Sequence, residues 1–199
     1  MENETVVETF GPLEPIVDVS FDIETMARDP KAIVISIGVC THKAHFHCYL
    51  NFEEQLKLDR LLEADTLAWH MQNHSALFIS QFAEVLKVTE KLFNTFHELK
   101  RWFIHNNLME NNCQVWMNSP SFDSVILSDL AEQANTELPW IYKQERDLRT
   151  LKALAKCRFP QAYAKLPSKP NNAHDALADA QYQLKIINDC EDILAVNDF

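Results

Sequence analysis

The chain has 199 residues, 47% of them hydrophobic and 24% charged, which suits one soluble domain with a full core. Its two glycines, Gly11 and Gly38, exclude the multi-glycine phosphate loops, since neither a Walker A loop nor a dinucleotide fingerprint can be written with them. The net charge of −11 argues against a general nucleic-acid coat protein and leaves room for an enzyme whose carboxylates hold cations.

Residues 1–8 are acidic, unlike a secretion signal, which starts basic and turns apolar. Residues 16–23 read as a strand of β-branched residues running into a charged end, and 32–39 as a second, apolar strand. A turn at 41–44 pairs the second strand with a third at 45–50. Residues 64–74 predict a short helix. Over 89–106, Leu92, Phe93, Phe96, Leu99, Phe103 and Ile104 recur at spacings of three and four, the mark of an amphipathic helix. A short strand at 114–117, a turn at 118–121 and a helix at 122–134 follow. Residues 139–142 read as a short strand, then 147–156 and 175–194 as the last helices. This order gives a mixed α/β domain spanning 1–199, with about the first twelve and last five residues frayed. The apolar run at 32–40 is too short to span a bilayer. Five dispersed cysteines (Cys40, Cys48, Cys113, Cys157, Cys190) form no C-x-x-C pair, so reduced thiols and a cytoplasmic location are expected.

Three acidic motifs carry the chemistry. In Phe21-Asp22-Ile23-Glu24-Thr25, strand periodicity sends Asp22 and Glu24 to one face. Adjacent carboxylates raise each other's pKa unless a cation lies between them. Alone, D-x-E is a solvated strand end, but here it closes an apolar strand that should be central. Within Asn118-Ser119-Pro120-Ser121-Phe122-Asp123, the aspartate sits in the first turn of a helix, where the macrodipole alone could explain it. In His174-Asp175-Ala176-Leu177-Ala178-Asp179, Asp175 reads as an N-cap, with Asp179 one turn later on the same face and His174 on the preceding, more mobile segment.

In this order the three motifs resemble the DEDDh 3′–5′ exonucleases, whose fold is ribonuclease H-like: a central mixed β-sheet flanked by α-helices. The resemblance runs from Asp22 to about Leu194. Ser119 to Asp123 and Arg146-Asp147-Leu148-Arg149-Thr150 further resemble the phage DexA-type exonucleases and related bacterial exoribonuclease-like proteins. It implies Asp22, Glu24, Asp123 and Asp179 as ligands of two divalent cations, Mg²⁺ or Mn²⁺, and His174 as general base. Two ions about 3.5–4 Å apart would activate water and stabilise the departing 3′ oxygen, and an imidazole would take the water's proton. The implied partner is a single-stranded nucleic acid with a free 3′ end, with no membrane contact; a homodimer is a further expectation. Thr25, Asn118 and Phe122 are expected at the substrate. Two departures stand out: Met26-Ala27-Arg28 follows the D-x-E-T where the family often has glycine, and His70 replaces one of two paired tryptophans.

Weaker signals have two readings each. Trp69 stacks on a base or is buried under its helix. Arg146, Arg149, Lys152 and Lys156 share a helix face if helix runs through all four; that face contacts phosphates or is simply solvated. They belong to a segment, 143–169, with eight basic residues against Glu145 and Asp147. His42, His45 and His47 bind a transition metal, with His45 and His47 on one strand face, or are chance histidines on a hairpin, the reading favoured because no ligand cluster lies nearby. RNA and DNA are not distinguished by any motif. A non-catalytic binding module should have lost a ligand, and none is lost; a proofreading-type subunit would need an interaction tail.

Overall fold

In the computed structural model, which describes residues 16–108, 110–169 and 174–196, the first strand, β1 (Val17–Thr25), sorts its side chains by period two. Val17, Val19, Phe21 and Ile23 enter the main apolar core with Val115 and Met117. The intervening Asp18, Ser20, Asp22 and Glu24 therefore face the other side of the sheet. Beside β1 run β2 (Val34–Cys40) and, beyond it, β3 (His45–Tyr49); on its other side lie β4 (Cys113–Met117) and β5 (Glu145–Asp147). The order β3-β2-β1-β4-β5 puts β1 in the middle, antiparallel to β2 and parallel to β4. The D-x-E motif thus lies on the central strand of a mixed sheet, as the sequence predicts.

Helices cover both faces. Between β3 and β4 come α1 (Phe52–Lys57), α2 (Ala64–Asn73), α3 (Ser75–Val85) and α4 (Leu92–His105). On the apolar face, Leu92, Phe96, Leu99 and Phe103 of α4 pack with Ile126, Leu127 and Leu130 of α5 (Pro120–Gln133). Phe93 and Ile104, read from the periodicity as part of that stripe, stay exposed at its margins. The polar face is covered by α6 (Leu148–Arg158) and α8 (Ala176–Val196), with the short α7 (Pro160–Tyr163) between them. There Trp116, Leu148, Ala155, Ile186, Ile187 and Cys190 form a second core. Trp116 Nε1 and Gln114 Nε2 both donate to Asp18 Oδ1, at 2.6 and 2.7 Å, so this third acid of the polar face is committed to structure. A third cluster seats α3 on the sheet through Phe78, Val85, Met26, Ile33 and Ile35.

Several expectations change. Residues 139–142 form no strand: Trp140 is buried against Phe21 and Phe103, and Gln144 Oε1 accepts from the Ile141 N–H to close a 3₁₀ turn at Tyr142–Gln144. The edge strand is the charged Glu145–Asp147, which pairs with Val115, Trp116 and Met117. Helices α1, α3 and α7 were not foreseen, and the long amphipathic helix begins at Leu92. The fraying expected at both ends lies outside the described residues, except that Ala195 and Val196 continue α8.

One glycine sets the approach of α8. Gly38 pairs with Asp22, and a Cβ there would lie 2.2 Å from the carbonyl carbon and oxygen of Ala176 and 2.3 Å from the Leu177 nitrogen. Main-chain atoms cannot yield as a flexible side chain does, so Gly38→Ala must push the start of α8 off the sheet. Overpacking of this kind costs about 1–3 kcal/mol, and each kcal/mol lowers Tm by about 2–4 °C in a chain of this size. Thermal melting by circular dichroism checks the expected loss; an unchanged Tm would show that α8 can shift freely.

Candidate active site

Three elements deliver four carboxylates to one end of the sheet. Asp22 and Glu24 leave the second half of β1 on its polar face. Because β4 runs parallel to β1, its end and the first turn of α5 come up beside them, carrying Asp123. Pro120 opens that helix with its φ already helical, and the Ser119 N–H lies 3.4 Å from Asp123 Oδ2. Asp179 arrives on the first turn of α8, which Asp175 caps by accepting from the Ala178 N–H at 2.9 Å. One turn later, Gln183 Nε2 donates to Asp22 Oδ1 at 2.6 Å.

Glu24, Asp123 and Asp179 are only 7%, 5% and 4% exposed. Burial, then Asp123, Glu24 and Asp179, raise the Asp22 carboxyl well above the ordinary carboxylate range. Glu24 is pushed up to about 8, by burial first and by Asp179 next, with Lys169 opposing. Burial lifts Asp123 to about 7 against the hydrogen bond from Ser119 and the Arg149 guanidinium. The nearest compensation is Lys169, whose Nζ lies 2.9 Å from Asp179 Oδ2. Asp179 Oδ1 is buried without a hydrogen-bond partner among the described residues. The site has more negative charge than its own side chains neutralise.

His174 is part of the same cluster. Its N–H donates to Asp179 Oδ2 at 3.0 Å, and ligating atoms of Glu24, His174 and Asp179 lie within 4.8 Å of one another. Among the described residues these form the one His/Cys/Asp/Glu group able to hold a metal. The histidines of the β2–β3 hairpin form none: His42 Nε2 meets Asn188 Oδ1 at 3.2 Å, and His47 lies edge-on to Tyr49.

A cavity of about 400 Å³ opens beside Glu24, lined by Ile23, Thr25, Arg28, Asp65, Thr66, Trp69, His70 and Phe122. Thr25, Phe122 and Trp69 thus meet in one cavity. The Thr25 hydroxyl is spent on the Ala27 carbonyl at 2.8 Å, so Thr25 offers the cavity a wall. Trp69 is neither fully buried nor free: it is 42% exposed and also touches the His174 ring. Asn118 is exposed at the end of β4. A larger groove of about 950 Å³ beside α4 and α5 shares no residue with the carboxylate cluster.

The basic stripe is broken at its start. Arg146 lies in β5 and not on α6, and its guanidinium donates to Gln114 Oε1 (3.0 Å) and to the Lys143 and Glu145 carbonyls (2.8 Å each). Helix begins only after Asp147, which caps α6 through the Arg149 and Thr150 N–H groups. Arg149 reaches back to hydrogen-bond Ser119 Oγ, at the flank of Asp123. Lys152 is half-buried and Lys156 exposed further along α6.

The residue reading missed Gln183 and gave Lys169 no role. Gln183 stands four residues after Asp179, a helical spacing that could have found it. Lys169 ends the basic run, but nothing local ties it to a carboxylate ten residues away.

The crowding of carboxylates has a measurable sign. Glu24 moves from its ordinary 4.5 to about 8 on folding, so the folded state binds more protons than the unfolded chain between those values. Metal-free stability therefore falls as pH rises through that window. Glu24→Gln should flatten the fall and raise Tm at pH 8 in EDTA, by about 2–4 °C for each kcal/mol of repulsion removed. Calorimetry on both proteins at pH 5 and pH 8 checks this; a Tm of Glu24→Gln below that of the wild type at pH 8 would mean the ionised carboxylate stabilises the fold.

Comparison with known proteins accords with this geometry. Residues 17–190 match the model of the Rv2179c-like family, described as a 3′-5′ exoribonuclease Rv2179c-like domain. No curated protein matches the chain. Among solved structures, the crystal structure of cell-death related nuclease 4 (CRN-4) superimposes with a TM-score of 0.63 at 16% identity. The match covers 94% of this chain and 65% of that one, so the chain spans about two thirds of its structural relative's length. The sheet order and this likeness give the ribonuclease H-like fold expected from the sequence; the nearer kinship with phage DexA-type enzymes is not established by these comparisons. With the family model covering all but the ends of the chain, this protein belongs to the Rv2179c-like 3′–5′ exoribonuclease domain family.

Proposed function

We propose that the chain is a metal-dependent DEDDh-type exonuclease that removes nucleoside 5′-monophosphates from the free 3′ end of single-stranded RNA. One observation carries this reading: Asp22, Glu24, Asp123 and Asp179 meet beside His174, and Glu24 also lines a nucleoside-sized cavity. Buried like charges in such a cluster call for cations, and an all-oxygen donor set suits Mg²⁺ or Mn²⁺. The residues present fit such ions. Asp179 has one buried oxygen without a partner among the described residues, while the other already attracts the Lys169 ammonium.

Asp22, Glu24, Asp123 and Asp179 would hold two such ions. When bound, the ions supply Lewis acidity at the attacking water and at the departing 3′ oxygen. His174 accepts the water's proton: burial, Lys169 and His74 lower its pKa to about 4, so the ring is neutral near pH 7. Thr25, Phe122 and Trp69 flank the terminal nucleoside, and Arg149 and Lys152 take phosphates upstream of it. The family description favours RNA over DNA. Five free cysteines accord with a cytosolic site of action, and no helix among the described residues is long and apolar enough to cross a membrane. A homodimer stays part of the reading.

The deciding assay incubates the purified chain with 5′-labelled single-stranded RNA and DNA, with and without Mn²⁺. Progressive shortening of RNA that needs Mn²⁺ and stops at a 3′-phosphate is expected. Mononucleotides released from the 5′ end, or cleavage of a closed circle, would remove the assignment.

Asp123 and His174 separate in kind. Asp123→Asn should weaken Mn²⁺ binding in calorimetric titration and abolish turnover at ordinary Mg²⁺. His174→Ala should keep Mn²⁺ affinity and lose about 10²–10⁴-fold in kcat, the usual worth of a general base. Raising the pH should partly restore only the His174 variant, because hydroxide needs no base. Equal loss of metal in both would make His174 a ligand.

A further inference from the structure

His174 has a left-handed main chain, with φ of 73°. A non-glycine residue keeps that conformation only where its surroundings impose it. Here both main-chain polar groups of His174 are held. Its N–H donates to Asp179 Oδ2 at 3.0 Å, and its carbonyl accepts from Nε2 of Gln81 at the same distance. Gln81 projects from α3 and is only 4% exposed; its amide also lies 3.5 Å from Asp175 Oδ2. The ring is held separately. Trp69 of α2 meets it edge-on with centroids 4.8 Å apart, and His74, at the α2–α3 junction, lies 4.0 Å away.

Apart from Asp179 on α8, the holding residues Gln81, Trp69 and His74 belong to one helical hairpin that is fixed to the sheet. Phe78 and Val85 pack it on Met26, Ile33 and Ile35. His70 stacks on Phe78 and donates a ring N–H to the Thr25 carbonyl at 3.1 Å. The hairpin is thus tied to the residue next to Glu24 and, through Gln81, to His174 and to Asp175, which caps α8.

We propose that the α2–α3 hairpin positions the His174 imidazole for proton transfer, Gln81 fixing its main chain and Trp69 and His74 its ring. The inference rests on the reading of His174 as general base. Gln81 touches no reacting atom and acts through the main chain of His174, with a longer contact to Asp175, so it is a positioning residue. A base must come within about 2.6–3.2 Å of the proton's donor, and a misplacement of about 1 Å can cost about 10²-fold in rate. Without Gln81, the His174 carbonyl loses the contact that holds it, and the ring samples other placements.

A double-mutant cycle between Gln81→Met and His174→Ala tests this, with kcat and KM measured on short single-stranded RNA in Mn²⁺ and Mn²⁺ affinity measured by calorimetry. Gln81→Met alone should lower kcat about 10- to 10²-fold with KM and Mn²⁺ affinity nearly unchanged. In the His174→Ala background it should change kcat by no more than about two-fold, the tolerance of independent sites. A wild-type kcat for Gln81→Met, or an equal loss in both backgrounds, overturns the positioning role. If His174→Ala itself leaves kcat intact, the base assignment fails first, and that outcome is distinct. Should Gln81→Met fold poorly, His74→Ala enters the same cycle through the ring contact, with the same expected coupling.

Discussion

Mutual repulsion among Asp22, Glu24, Asp123 and Asp179 is the constraint around which this fold is organised. Like charges in a dry cleft separate, or take up protons, unless rigid elements hold them. Each is anchored differently. Asp22 and Glu24 lie on a strand locked between two neighbours, Asp123 on a helix launched from the parallel strand beside it, and Asp179 on a helix lowered onto Gly38. Lys169 and Arg149 soften the field from the edge without filling the centre. Burial raises both Glu24 and Asp123, and at Glu24 Asp179 adds to the rise, so these groups are held where solvent cannot relieve them.

That hold comes from the opposite face of the sheet. Phe21 and Ile23 alternate with Asp22 and Glu24 and bury themselves against α4 and α5, so the residues that carry chemistry are interleaved with those that carry stability. On α8, Ala176 and Ala180 are fully buried on the polar face, beside Asp179 and Gln183. Small residues there let a carboxylate approach another strand's carboxylates without a large side chain intervening.

Patterns local in sequence were legible. Period two placed Asp22 and Glu24 together, a turn-then-helix signal placed Asp123, and an N-cap followed by i+4 spacing placed Asp179. The misreadings share a physical cause. Trp140 and Ile141 have the composition of a strand, but Trp140 is drawn into the core by Phe21 and Phe103. Glu145-Arg146-Asp147 has no strand propensity and is a strand only because β4 offers it a partner. Arg146 was accordingly assigned to a helix face it never joins. Gln81 and His74 lie 93 and 100 positions before His174 in the chain, and no spacing rule spans that distance. Contacts of that kind are properties of the tertiary fold.

The alternation of β1 has a consequence for how this chain can change in length. Its register is fixed from both sides, with Phe21 opposite Val39 on β2 and opposite Met117 on β4. Insertion or deletion of one residue between Val17 and Glu24 would exchange the two faces beyond that point. Carboxylates would then face Phe96 and Leu99, and phenylalanine would face the cleft. Neither neighbouring strand can follow such an indel without breaking its pairing on the far side, so only a β-bulge, like the irregularity already present between Glu24 and Thr25, could absorb it. Length variation is therefore far better tolerated in the connections between elements than within β1.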